Sequence, residues 1–216
     1  MSAFSDDLLK WWRANGRYFP WRSETDSYRI LLAEVMLRRT RAENVVKVYG
    51  EFLRSYPNIQ RLSQSNPSDV VEKAGALGLK WRTNQLIEAA KMIANEMGGI
   101  VPIEKEKLLL LPGVGDYIAS AVRVFSGGCK EVLIDTNTVR VIRRKIGKPY
   151  SDSLRRNRKI RVLYARLMRG SPSKEFGFGM IDLAAKICIP VNPKCELCPV
   201  VKHCKTGKRA TGTRRK

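Results

Sequence analysis

No stretch of the sequence approaches the ~20 consecutive apolar residues that a membrane-spanning helix needs. The opening segment carries Asp6 and Asp7 early and lacks the apolar core of a secretory signal, so neither an anchor nor an export signal is expected. Acidic residues are also scarce: 20 Asp and Glu stand against 41 Lys and Arg, a formal net charge of +21. That imbalance favours a polyanionic partner, because each phosphate neutralised releases condensed counterions. Charge by itself leaves open a ribosomal-type basic protein or simple solubility. Cysteine is almost missing before residue 188, where Cys129 stands alone, and the other four crowd together, as metal ligands do in a reducing compartment. A cytoplasmic protein, nucleoid-associated if prokaryotic, is expected, with no membrane contact and a monomer as the default state.

Internal repeats and β-hairpin signals are lacking too, and what remains is helical periodicity. Between Asp26 and Pro57, Tyr28, Leu31, Leu32, Val35 and Met36, then Val45, Val48, Tyr49, Phe52 and Leu53, recur at helical spacing. Asn66-Pro67 reads as an N-cap followed by a first-turn proline, with the helix ending near Gly75 or Gly78. Further helices are expected at about 82–96, after Gly115 to Gly127, from Asp135 or Thr136 to about Ile146, at 154–168 and at 174–187. The fold class is therefore all-α. The last twelve residues carry six Lys or Arg and almost nothing apolar, and a disordered basic tail over 205–216 is expected.

Cys188, Cys195, Cys198 and Cys204 form the pattern C-x6-C-x2-C-x5-C within 17 residues. Four thiolates so close in sequence can converge on one inorganic centre, and both zinc and a [4Fe–4S] cluster accept such a set. Structural zinc sites usually pair two short knuckles, whereas only Cys195 and Cys198 are closely spaced here, which favours iron–sulfur. His203, beside Cys204, is not needed as a ligand, and Cys129 reads as a free thiol.

Leu108-Leu109-Leu110-Leu111-Pro112-Gly113-Val114-Gly115 is the second informative segment. Proline ends one helix, and the glycines permit a tight turn that aims backbone N–H groups outward at the start of the next helix. With the helix dipole these donors make a seat for a phosphate. An ordinary helix–helix connector, or a non-catalytic DNA-binding hairpin, would look the same in isolation. Asp135, 18 residues after Tyr117, stands at the expected start of a later helix, where capping N–H groups and the dipole favour its carboxylate form. A fixed carboxylate can stabilise an oxocarbenium-like sugar as a base departs; the plainer role is a helix cap.

In this order, L-x-x-L-P-G-V-G, an aspartate that opens a later helix and the four-cysteine loop resemble the helix–hairpin–helix DNA glycosylases of the endonuclease III and MutY superfamily. The likeness runs from Phe19-Pro20-Trp21-Arg22 to Cys204, nearly the whole folded chain. It implies a two-module endonuclease III-like fold: a six-helix barrel module over 22–133 that includes the hairpin, and a cluster module built from 1–21 plus 134–204. It implies a [4Fe–4S] cluster held by Cys188, Cys195, Cys198 and Cys204, and duplex DNA seated on Gly113, Val114 and Gly115 with its target base flipped out of the stack.

Within the family, endonuclease III-like enzymes place a Schiff-base lysine where this chain has Tyr117, so a β-lyase step is not expected. Leu32-Ala33-Glu34-Val35-Met36-Leu37 resembles the segment of MutY-like adenine glycosylases that carries their catalytic acid, which makes Glu34 a candidate. Those enzymes continue Gln-Gln-Thr where this chain has Arg38-Arg39-Thr40, and carry a C-terminal 8-oxoguanine recognition domain. L-R-R-T and G-V-G-x-Y are similar instead to mismatch-specific thymine glycosylases, which implies excision of thymine or uracil opposite guanine. In that likeness Tyr117, Asp135 and Glu34 carry the chemistry. Among the residues it implies for DNA contact, Leu79 presses into the stack near the opposite base, Arg38 or Arg39 fills the gap left by the flipped nucleotide, and Asn137 sits beside the aspartate and holds its backbone. Phe176-Gly177-Phe178 departs from the pattern, with glycine where relatives commonly have asparagine. The partner implied is double-stranded DNA with a mismatched base, and an abasic-site endonuclease would act downstream. The rival readings are a truncated MutY-like adenine glycosylase and, in another class, a non-catalytic iron–sulfur DNA-binding protein.

Overall fold

A computed structural model of the chain describes residues 2–78, 80–149 and 155–212. Among the described residues there are helices, turns and loops but no strand. The α-helices are α1 (Ala3–Asn15), α2 (Ser27–Leu37), α3 (Ala42–Ser55), α4 (Ile59–Ser63), α5 (Pro67–Lys73), α6 (Lys80–Glu96), α7 (Lys105–Leu110), α8 (Asp116–Phe125), α9 (Thr136–Lys145), α10 (Arg158–Met168), α11 (Ser173–Lys186) and α12 (Lys205–Ala210). The all-α expectation holds, and no described helix is long and apolar enough to cross a membrane.

Residues 18–129 form one compact unit, and residues 1–17 with 130–216 form another. The borders therefore fall at 17/18 and 129/130 rather than at 21/22 and 133/134. Side-chain partners account for the first shift. The Phe19 ring stacks on Trp21 at 5.0 Å, and Trp21 meets Tyr49 edge-on at 5.4 Å, while Arg17 bonds to Asp182.

In the 18–129 unit, α2 is the central helix. Tyr28, Ile30, Leu31, Leu32, Ala33, Val35 and Met36 leave it almost no polar face, and it packs on α3, α6 and α8. Asp26 caps it by accepting from the Arg29 N–H at 2.9 Å. Asn66 caps α5 with Pro67 at its first position, as the dipeptide predicts. On α8, Ile118, Ala121, Val122 and Phe125 fall at helical spacing and are buried.

The other unit begins with a helix that the sequence reading does not anticipate. Ser2 and Ser5 form a reciprocal capping box for α1, and Phe4, Leu8 and Leu9 are buried, the helix packing on α10 and α11. A Cβ on Gly179 of α11 would lie 3.2 Å from Leu8 Cγ, so a small residue permits this close approach. Leu8 is fully buried, and truncating it to alanine would cost about 2–5 kcal/mol. The Asp182 carboxylate, also fully buried, accepts from Arg17 Nε at 2.7 Å, from the Arg17 N–H at 3.0 Å and from Trp12 Nε1 at 3.1 Å. Helices α10, α11 and α12 all pack on α9. Residues 205–210, expected as disordered tail, are helical. The Gly207 N–H donates to Cys204 Sγ at 3.3 Å, and α12 rests on α9. A basic composition does not prevent a helix that has a cap and a surface to lie on.

Candidate active site

The hairpin lies in the 18–129 unit. Helix α7 ends at Leu110, the chain turns through Leu111–Gly115, and α8 begins at Asp116. Within the turn the Val114 N–H donates to the Leu111 carbonyl at 3.0 Å, and the buried Val114 side chain anchors the bend. Gly113 has φ +80°, and a Cβ there would lie 2.8 Å from Gln85 Oε1 and 3.3 Å from Arg38 Nη1. Its backbone therefore favours glycine, while the crowding atoms, apart from Gln85 Cβ at 3.1 Å, are the ends of flexible side chains that can move aside. Gly115 is the N-cap of α8 and places no side chain on the helix end, while the Ala119 N–H bonds back to its carbonyl at 3.0 Å. Tyr117, the second residue of α8, is half-buried. Lys105, which precedes the hairpin, is paired with Asp116 at 2.9 Å and donates to Ser120 Oγ at 3.1 Å.

Glu34 lies on α2 and is 7% exposed, a carboxyl group on the central helix of its unit. At the end of α2 the two arginines proposed for the duplex behave differently. Arg38 is engaged inside the fold: Nη1 donates to the Gly113 carbonyl at 3.0 Å and to Gln85 Oε1 at 3.3 Å, and its guanidinium lies over the Trp81 ring at 4.8 Å. Arg39 is exposed with φ +58°, a left-handed conformation that costs a non-glycine residue about 1–2 kcal/mol. Of the two wedge candidates, Arg38 is held against the hairpin by Gln85 and Trp81 of α6, while Arg39 is exposed. Leu79, the other wedge candidate, lies outside the described residues.

In the other unit, Asp135 caps α9. Its Oδ1 accepts from the Thr138 N–H at 2.7 Å, and Thr138 Oγ1 accepts from the Asp135 N–H at 2.9 Å. Asn137 Nδ2 donates to Asp135 Oδ2 at 2.8 Å, so Asn137 holds the carboxylate itself rather than the backbone. Arg140 fixes the amide's orientation by donating from Nη1 to Asn137 Oδ1 at 2.8 Å. The same guanidinium donates to the Cys188 carbonyl at 2.9 Å and the Ala184 carbonyl at 3.1 Å.

Cys188, Cys195, Cys198 and Cys204 line one pocket with Arg144, Ile187, Pro193, Thr206 and Gly207. Arg144 Nη1 lies 3.5 Å from Cys188 Sγ and donates to the Ile189 carbonyl at 2.7 Å, and Nη2 donates to the Pro190 carbonyl at 2.6 Å. Burial pushes the Cys198 thiol up to about 11 and raises those of Cys195 and Cys204. Among the described residues, no group of three His, Cys, Asp or Glu is placed to hold a single metal ion. His203 is not incidental to the loop: its Nε2 is 2.7 Å from Asp7 Oδ2, and Lys202 Nζ is 3.0 Å from the same oxygen. These partners, His203 first, hold the Asp7 carboxyl below its usual range and tie the loop to α1.

Sequence reasoning missed Trp81, Arg82, Gln85, Arg140 and Arg144. One signal was present: Arg82 falls on the buried stripe of α6 with Leu86, Ala89, Ala90 and Ile93, where a charge demands partners.

No family model matches the chain. A thymine-DNA glycosylase of Aeropyrum pernix is 41% identical over 207 residues, which is 91% of this chain and 91% of that protein. A thymine/uracil-DNA glycosylase of Methanothermobacter thermautotrophicus is 36% identical over 202 residues, 93% of this chain and 91% of its own length. An adenine DNA glycosylase of Mycolicibacterium smegmatis is 30% identical over 206 residues, 95% of this chain but 70% of that protein. Among solved structures, a thermostable thymine-DNA glycosylase matches with a TM-score of 0.89 and 35% identity, covering 95% of each chain. Endonuclease III trapped covalently on DNA matches with a TM-score of 0.81 at 20% identity, covering 96% of this chain and 95% of that one. The endonuclease III-like fold expected from the sequence is the one these matches show.

Proposed function

The chain belongs to the thymine/uracil-DNA glycosylases of the helix–hairpin–helix superfamily, and we propose that within this family it is a monofunctional, mismatch-specific enzyme acting on thymine or uracil opposite guanine. It is a DNA N-glycosylase; the base preference, the residue roles and the cluster are the proposal.

The observation that carries the reading is the state of Asp135. Its two oxygens each accept one N–H, from Thr138 and from Asn137, so the carboxylate is fixed before any substrate arrives. A pre-oriented negative charge stabilises the positive sugar that forms as the bond between C1′ and the base breaks, without reorganisation at the moment of reaction. Water then adds to C1′, its proton goes to solvent, and the strand stays intact at an abasic site. Glu34 protonates the leaving base or positions that water, roles open to a carboxyl group on a buried helix. Tyr117 contacts the flipped nucleotide and supplies no amine for a Schiff base, so the enzyme does not cut the strand. The open start of α8 seats a phosphate. A G·T wobble is undamaged, so its weak pairing is what lets the thymine leave the stack.

The cysteine pocket fits a [4Fe–4S] cluster. Its donors are four thiols around one concavity, with Arg144 beside Cys188 Sγ and the Gly207 amide on Cys204 Sγ, the donor-to-sulfur bonds that iron–sulfur sites use. A single zinc ion would instead draw all four sulfurs to about 2.3 Å from one point. When bound, the cluster supplies a rigid cross-link for the 188–204 loop. Purified protein is expected to carry iron and to absorb broadly near ~400 nm; stoichiometric zinc in a colourless protein contradicts this assignment.

The function is tested by base release from labelled duplexes containing G·T, G·U, A·G and A·8-oxoguanine, each with and without alkali. Release from the T or U strand that becomes a break only after alkali supports the reading. Release of adenine would favour the MutY-like alternative, and release from none would favour a non-catalytic DNA-binding protein.

A further inference from the structure

Arg82 is 3% exposed, yet it is not buried among apolar groups alone. Its Nη1 donates to the Met36 carbonyl at 3.1 Å and to the Arg38 carbonyl, and its Nη2 donates to Thr40 Oγ1 at 2.9 Å and to the Leu77 carbonyl at 3.1 Å. One guanidinium thus joins two turns distant in sequence: Arg38–Thr40, which holds Arg39 in its left-handed conformation, and Gly75–Gly78, which leads to Leu79. The Gly75–Leu77 turn also packs on α3 and α5. A small cavity lined by Met36, Phe52, Ala74, Leu77, Thr83 and Leu86 opens beside Arg82, so packing at the guanidinium itself is incomplete and these bonds contribute to the spacing of the turns. Only a planar fork of five donors reaches acceptors on both turns at once; a lysine ammonium presents a single nitrogen.

We propose that Arg82 is a positioning residue that clamps the Arg38–Thr40 and Gly75–Gly78 turns into one rigid element, so that both enter the duplex together when a base is extruded. This rests on the reading of the chain as a base-extruding glycosylase. The clamp acts on penetration of the stack and not on bond cleavage, so its loss falls on paired targets.

The test compares Arg82→Lys and Arg82→Gln with the wild type on two substrates under single turnover. One is thymine in a G·T duplex; the other is uracil opposite an abasic-site analogue, where no partner base has to be broken. Both variants are expected to slow G·T excision by about tenfold or more and unpaired excision by less than about threefold, the size of losing bonds to a charged group. Equal slowing on both substrates, or no slowing, overturns the proposal. If the Arg82 variants do not fold, Thr40→Val carries the test. It removes one acceptor and leaves the guanidinium, and an unchanged ratio between the substrates would again overturn the clamp. A 2-aminopurine placed beside the mismatch reports opening of the stack without any excision. Emission that rises with wild type and not with Arg82→Lys supports the clamp even if neither base is released, a result that would count only against the proposed function. Emission that does not rise with wild type counts against the clamp.

Discussion

Two helices in this molecule begin with nearly the same backbone and opposite chemistry. At the start of α8, Gly115 has φ −99° and ψ 179°; at the start of α9, Asp135 has φ −122° and ψ −179°. The first carries no side-chain cap, while the second carries a complete capping box with Asn137 added. Every helix start leaves donors unsatisfied and concentrates partial positive charge. Left open, such an end can take an external anion, and the proposed function assigns it a DNA phosphate. Closed by its own aspartate, it becomes a mount that holds a carboxylate in one place. On the proposed function, the difference teaches that binding and chemistry can be separated at single residues, because each would use the same backbone end with a different side chain.

Gly113→Ala should break the open end most strongly. The alanine would be strained at φ +80°, and its Cβ would press on Gln85 and Arg38. Stability is expected to fall by about 1–2 kcal/mol in thermal melts. Duplex affinity should weaken by about tenfold in fluorescence anisotropy, since the amides of the turn move with the strain. Wild-type affinity would show that the turn does not seat the phosphate.

Asn137→Ala perturbs the closed end instead. It removes one N–H from the carboxylate and leaves the Thr138 bond, so excision should slow by about tenfold, the size of one charge-assisted hydrogen bond. Duplex affinity should change by less than about twofold. Loss of affinity without loss of excision would reverse the assignment and return Asn137 to the DNA-contacting set.

Gly115→Ser makes the open end resemble the closed one and should give the smallest effect. The backbone is extended and nothing lies within 4 Å of an added Cβ, so the serine fits. Capping should change stability by only a few tenths of a kcal/mol. The new hydroxyl competes for the same amides, and duplex affinity should fall by about threefold. Unchanged affinity would mean that the phosphate is held elsewhere.

Local features were legible in the sequence because their causes span only a few residues. Asn66-Pro67, the Leu-Pro-Gly-Val-Gly turn and Asp135 each carry donor, acceptor or backbone preference in the residues themselves. The partners of Arg82, Arg140 and Arg144 were not legible, because they include the carbonyls of Met36, Ala184, Cys188 and Ile189, and a carbonyl leaves no mark in sequence. Helix α1 was missed although its Ser2–Ser5 capping box is local, because the surface that buries Leu8 and Leu9, and Asp182 that binds Trp12 and Arg17, lie on elements some 165 to 170 residues away. The 205–216 segment misled in the other direction. Its charge suggested disorder, while the cap by Cys204 and the contact with α9 that make 205–210 helical appear only in three dimensions.

The separation of binding from chemistry is tested most directly by Asp135→Asn on a G·T duplex, under single turnover with protein saturating the DNA. The variant should bind the duplex as the wild type does and release no thymine above background, because an amide holds the helix end without supplying negative charge to the sugar. Thymine release at the wild-type rate would contradict the account, leaving Asp135 as a helix cap and nothing more.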